Sequence, residues 1–188
     1  MSGRTLVGVT HHRPDYFPMR ASSAAFGALG AMAEVSAGKT FPETHNLTDP
    51  ASRIEDHIIA RLNANGTNTI GDHLDMSAAK ANTPYPIAAN TIYVDAQSTG
   101  WAESYFPMNW GKFRLSYGTL IRVIDGSNGH VLAQQTCGQA SDPSADKSPS
   151  LAELDADNSA LRNSMFAQMA DACESRFETS TLAALAPH

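Results

Sequence analysis

Phe113, Leu115, Tyr117, Thr119, Ile121 and Val123 occupy alternate positions in one uninterrupted stretch. Successive side chains of a strand point to opposite faces, so this spacing predicts a long strand with one face turned to a core. Asp125-Gly126-Ser127-Asn128-Gly129 follows, rich in residues that accept positive φ, and Val131 to Cys137 then returns as a hairpin partner. A hairpin of this length commits the chain to an antiparallel sheet that needs cover on one side. Upstream, Ile92, Val94 and Ala96 alternate with Tyr93, Asp95 and Gln97 and supply a further strand, and Thr5 to Thr10 is a short β-branched one.

The cover comes from three helical stretches. Ser22 or Ser23 caps a helix through AAFGALGAMAEVSAG, with Phe26, Leu29, Met32 and Ala33 on one face, Gly27, Ala31 and Glu34 opposite, and Gly38 as terminator. A second has Asp49 as N-cap, Pro50 at its first position, a stripe of Ile54, Ile58, Ile59 and Leu62, and Asn65-Gly66 at its end. The last starts at Ser150, with Glu153 completing a capping box. Leu151, Leu154, Leu161, Met165, Met169, Ala172, Cys173 and Phe177 are its continuous apolar stripe. His11 to Arg20 reads as an extended loop, Thr67 to Ala89 shows no strong period and either holds a short strand or is loop, and Gly138 to Ser148 is a loop. Strand, helix, helix, three strands, helix is the order of an α/β (α+β) fold. It is a two-layer sandwich, a mainly antiparallel sheet with helices packed on one face, formed as a single domain over residues 1–188.

The chain has 188 residues, 42% of them hydrophobic and 17% charged, enough to build one core. Its net charge of −6, without a Lys/Arg cluster, argues against nucleic acid as a partner. The uncharged run from Ala21 to Ala33 is too short to span a bilayer. Met1-Ser2-Gly3 leads straight into the first strand, so no signal peptide is expected within the chain. The two cysteines, Cys137 and Cys173, have no metal-like spacing. They are either buried free thiols or one long-range disulfide. The bridge is favoured because Cys137 shares the parity of Val131 and Ala133 while Cys173 lies on the core stripe of the last helix.

No stretch announces a catalytic chemistry: phosphate loops, nucleophile elbows, His-Glu-x-x-His and dinucleotide fingerprints are all missing. Expected catalytic residues, cofactor and metal are therefore none. The weak metal candidates are His11-His12 and the Asp72-His73-x-Asp75 cluster; neighbouring histidines on a strand point opposite ways, and an Asp-His-x-Asp loop is ordinarily solvated. His57 reads as a helix-flank histidine. Trp101, Tyr105, Phe106, Pro107 and Trp110 lie together. They either cover the end of the sheet or form a partner-binding surface, since aromatics on a proline-stiffened connection lose little entropy on docking. The small-residue helix around Gly27 and Gly30 is either a close-packed core helix or a protomer or membrane-surface contact.

The stretch WAESYFPMNWGKFRLSYGTLIRVIDGSNGHVLAQQTC resembles a group of proteobacterial envelope lipoproteins. They carry an aromatic YFP-x-x-W segment, a strand ending in a Leu/Ile-Arg-Leu/Val-Ile-Asp hairpin with Gly, and a Cys closing the return strand. The matching residues are Tyr105, Phe106, Pro107, Trp110, Arg122, Ile124, Asp125, Gly129 and Cys137, with FGALGAM, Pro14-Asp15 and Cys173 also in agreement. The fold is similar as well to periplasmic domains of curli-secretion and transport-auxiliary lipoproteins, an analogy only. The resemblance implies a domain in the periplasm or at the outer membrane, lipid-anchored through a cysteine upstream of Met1. YFPM also occurs at Tyr16-Phe17-Pro18-Met19, but the flanks differ and a repeat should extend beyond four residues. The expected function is a non-enzymatic structural or accessory subunit of a secretion or transport assembly, with protein partners or copies of itself. The rival is a small hydrolytic or metal-dependent enzyme using His12, Asp72 and His73.

Overall fold

Residues 2–20, 27–80 and 83–185 are described by the computed structural model. In chain order the elements are β1 (Thr5–Thr10), β2 (Tyr16–Pro18), α1 (Gly27–Thr44), α2 (Ala51–Leu62), β3 (Thr69–Ile70), β4 (Leu74–Asp75), β5 (Thr91–Phe106), β6 (Asn109–Asp125), β7 (His130–Ala140) and α3 (Leu151–Ser180). Ser22, Ser23 and Phe26, and the surroundings of Gly27, Leu29 and Gly30, lie outside the described residues.

The sheet runs β3-β1-β5-β6-β7, with β2 also on β5 and β4 also on β1. β5, β6 and β7 are antiparallel neighbours, whereas β1, β2, β3 and β4 pair in parallel. Leu115, Tyr117, Ile121 and Val123 of β6 join Ile92, Val94 and Trp101 of β5, Ile54 and Ile58 of α2 and Phe166 and Phe177 of α3 in one core, so the helices lie on one side. This is the expected two-layer sandwich. A smaller core of Val9, Met76, Tyr93 and Ile124 covers part of the other side, roofed by the segment around Leu74, Tyr85 and Ala88.

Sequence periodicity misplaced three features. His11 to Arg20 is not all loop: Tyr16–Pro18 forms β2, and the Tyr16 ring is buried against Phe41, Trp101 and Phe166. Gly38 does not end α1, which continues to Thr44. Its hydrogen faces the Tyr16 carbonyl, where a Cβ would come within 1.8 Å of the oxygen, so glycine is what lets α1 lie on β2. The face that packs is consequently Glu34, Gly38 and Phe41, and Glu34 accepts from the Arg20 N–H at 3.1 Å. Met32, expected inside, is exposed.

The last helix holds its capping box at Ser150 and Glu153 but is interrupted. Asp157, Asn158 and Ser159 have φ of 48°, 53° and 61°, and two of the three are the types that best tolerate the left-handed region. The turn rotates the downstream segment, so Leu161 is exposed and Arg162 is fully buried. Arg162 Nη1 then donates to the Leu154 carbonyl at 3.1 Å and to Ser159 Oγ at 2.8 Å, occupying acceptors that the break frees. Its Nε donates to Glu103 Oε2 at 2.9 Å and its Nη2 to Asp155 at 2.8 Å. Glu103, buried on β5, also accepts from Tyr16 Oη at 2.8 Å and from Arg20. Two guanidiniums and two carboxylates thus meet in one polar knot between β2, β5 and α3.

Cys137 and Cys173 form a disulfide with a Cα–Cα distance of 5.6 Å, linking β7 to α3.

Candidate functional site

Two regions stand apart chemically. The first is the tip of the β5–β6 hairpin. Where the alternation suggested a connection between separate strands, β5 runs unbroken to Phe106 and β6 starts at Asn109, leaving Pro107 and Met108 as the turn. The aromatic group therefore divides. Trp101 is 2% exposed in the main core, its Nε1 donating to the Pro14 carbonyl at 3.0 Å. It is no docking residue, because its position on β5 faces the helices. Tyr105 is half-buried against the core and Phe106 half-buried. Met108 is 98% and Trp110 68% exposed. Trp110 Nε1 donates back to the Pro107 carbonyl at 2.7 Å, which holds the indole over the turn. The first YFPM is unlike the second: a buried parallel strand, not a turn.

The second region arises from an interrupted edge. β1 pairs with Thr91–Val94 and β2 with Trp101–Glu103, both on the side of β5 away from β6. Between them the chain arches outward through His11, His12 and Arg13. The β5 edge there has no strand partner among the described residues. Glu55 of α2 reaches into the gap and Oε1 accepts from the Ala96 N–H at 3.0 Å, a donor that pairing would otherwise have used. Burial pushes the Glu55 carboxyl up to about 9, and the nearby Asp95 and Asp56 charges add to this, against hydrogen bonds from the Ala96 and Val9 amides. The carboxyl is accordingly neutral at pH 7.

Asp95, on the opposite face of β5, behaves differently. Its buried carboxylate is held below the usual range: burial alone would raise it, but hydrogen bonds from His11 and Tyr85 and the Arg122 guanidinium outweigh that. Arg122 Nε donates at 2.9 Å and His11 Nε2 lies 2.9 Å away, with Tyr85 Oη the third partner. His11 Nε2 and Asp95 Oδ1 make no other polar contact, so each depends on the other.

His11 and His12 form a partition between two cavities. One, of about 220 Å³, is lined by Asp49, Ser52, Glu55 and Ser98; the other, of about 280 Å³, by Lys80, Thr83, Tyr85 and Arg122. Asp49 anchors the first by accepting from the Ala51 N–H at 3.0 Å and the Ser98 hydroxyl at 2.5 Å. Of the proposed enzyme residues, only His12 lines these cavities; Asp72 is exposed, and His73 packs on Gly8 with its Nδ1 3.8 Å from Glu55. Glu55 and Asp95 were missed in the sequence because each looked like the polar side of an amphipathic element. Glu55 does fall one residue after Ile54 on the stripe of α2, which is the signal that could have singled it out.

Among the described residues, the group of three able to hold a metal is His57, Asp171 and Glu174, with ligand atoms within 4.8 Å of one another. Ion pairs account for that grouping: Arg53 grips Asp171 at 2.8 Å, and His57 Nδ1 meets Glu174 at 2.7 Å. No described helix is long and apolar enough to cross a membrane.

No family model matches the chain, and no curated protein does. Among solved structures it aligns with lipoprotein GNA1162 from Neisseria meningitidis at 12% identity and a TM-score of 0.33, covering 94% of this chain and 99% of that one. It also aligns with a protein described as a neuraminyllactose-binding hemagglutinin homolog from Helicobacter pylori at 7% identity and a TM-score of 0.37, covering 93% and 82%. At such scores neither alignment carries an argument about fold or role.

Proposed function

We propose that the chain is a non-enzymatic domain of the bacterial envelope, lipid-anchored in the periplasm or at the outer membrane, which docks as an accessory subunit on a protein partner in a secretion or transport assembly. The observation that carries the reading is the hairpin tip, where Met108 and Trp110 stand exposed on a turn stiffened by Pro107 and by the indole hydrogen bond. Such a tip pays little ordering entropy on docking, and tryptophan is enriched among residues that dominate binding. The Cys137–Cys173 disulfide supports an oxidising compartment, as does the resemblance to envelope lipoproteins. The rival enzyme would need His12, Asp72 and His73 in one cavity, and neither cavity beside His12 is lined by the other two.

Trp110→Ala and Met108→Ser are tested by co-purification of the native assembly and by thermal melting of the isolated chain. Trp110→Ala should weaken association by about 2 kcal/mol, some thirtyfold, if the tip is a hot spot. Melting should stay put, because the indole leaves no cavity behind. Retention of the assembly by both variants overturns the proposal.

A further inference from the structure

The two cavities beside His11 and His12 are sorted by charge. No Lys or Arg lines the smaller one, which holds the Asp49 and Glu55 carboxyls and the Ser52 and Ser98 hydroxyls, whereas no Asp or Glu lines its neighbour, which holds Lys80 and Arg122. The smaller cavity thus brings two carboxyls and two hydroxyls together beside His11 and His12, with no Lys or Arg among them. At about 220 Å³ it has room for about seven waters, or an amine of a few heavy atoms. The grouping of three metal-ligand atoms among the described residues lies elsewhere, at His57, so the arrangement here is not that of a preformed metal site.

We propose that this cavity binds a primary ammonium group, held between the Asp49 and Glu55 carboxyls with a serine hydroxyl as a third acceptor. An ammonium has three N–H donors and no acceptor, which matches such a lining. The site is separate from the hairpin tip and stands or falls without it.

The chemistry carries a proton signature. Glu55 is 2% exposed, and the charges facing it are Asp56 on its own helix, Asp95 on β5, Asp49 ahead of α2, and His73, His11 and His12 from the loops. Empty, the cavity keeps Glu55 protonated. An entering ammonium supplies the missing positive charge, the Glu55 O–H proton leaves to solvent, and the carboxylate pairs with the ligand. One proton is therefore released for each ammonium bound. Affinity should rise about tenfold per pH unit between pH 7 and 8 and level off near the Glu55 value of about 9.

The test uses n-butylammonium chloride, with n-butanol as the neutral isostere, in calorimetric titrations of the full chain. Experiments at pH 7 and 8 in buffers of different ionisation heat count the protons released. Expected are one saturable site, near one proton released per ligand at pH 7, no binding of butanol, and at least tenfold weaker binding at pH 9 in Glu55→Gln. That variant keeps a carbonyl to accept from Ala96. No saturable heat at pH 9, zero protons released by the unsubstituted chain, or equal binding of butanol overturns the proposal. The proton count needs no substitution, so it decides even if Glu55→Gln does not fold.

Discussion

Arg162 concentrates the cost of burying charge in this molecule. It is wholly enclosed, yet its guanidinium meets Glu103, Asp155, Ser159 and the Leu154 carbonyl, and its flat face lies 5.3 Å from the centre of the Phe41 ring. Removing one member of such a pair strands the other without water. Arg162→Ala should cost about 3–5 kcal/mol, most of it the penalty of Glu103 left half-paired. Urea denaturation measures it, and a loss below about 1 kcal/mol would mean that water replaces the guanidinium. Nothing local in the sequence singles out Arg162. Its helical spacing places it beside Leu161 on a flank, and only the left-handed turn at Asp157–Ser159 rolls it inward, toward Glu103 of β5 and the Leu154, Asp155 and Ser159 acceptors of α3 itself. Glu103 was hidden for a related reason, since a charged residue in a strand reads as solvent-facing unless its distant partners are known.

Among the elements, β6 and β7 were the most legible, because alternation over a long run leaves few alternatives and the turn residues fix the reversal. Elements defined by what they touch were not. β2 has only three residues and exists because β5 offers an edge to Tyr16–Pro18. The face of α1 is decided by the close approach at Gly38, which no hydrophobic period records. Similarly, the alternation in β5 fades at Ser98, where a bulge shifts the register against β6, so the strand's continuation to Phe106 was mistaken for a connection. The Cys137–Cys173 disulfide joins an element from each layer across a sequence separation of 36. Replacing both cysteines with Ala should cost about 2–4 kcal/mol through the unfolded chain it releases. Equilibrium unfolding of oxidised wild type against the double variant gives that difference directly. A change within about 0.5 kcal/mol would show that the bridge contributes little beyond packing.

For the molecule as a whole, the two buried carboxyls of β5 and α2 give stability opposite responses to pH. The raised Glu55 keeps its proton in the folded state after the unfolded chain has lost it, so the native state binds more protons from about pH 4.5 to about pH 9. Stability from this group is fully present below that window and is lost as pH rises through it, at a slope of up to about 1.4 kcal/mol per pH unit. Asp95 has the reverse sign: its lowered value adds stability above the normal aspartate range and withdraws it as the solution is acidified further. Denaturation midpoints from pH 5 to 9 should decline in the wild type and stay flatter in Glu55→Gln. A parallel decline in both would assign the slope to other groups. The layers and the order of the larger elements could be read from the chain, but the short strand β2 and the gap that buries Glu55 could not, since that gap depends on β1 and β2 sharing one edge of β5 with an arch between them.

On the sheet face away from the helices, Gly100, Gly118 and Gly138 are cross-strand neighbours, and Ala102, Ser116 and Ala140 form the next row. These two rows line a shallow depression of about 610 Å³. Cross-strand side-chain pairs stiffen a sheet, and along the glycine row there are none on this side. The bulge beside Ser98 falls on the same line. The sheet therefore carries a row bare of side chains across three strands on this face, with the disulfide-backed half on one side and the β5–β6 arm on the other. On the opposite face Trp101, Glu103, Phe113 and Leu115 tie the arm to β2 and α3, so only the tip beyond Tyr105, carrying Met108 and Trp110, projects past the packed body.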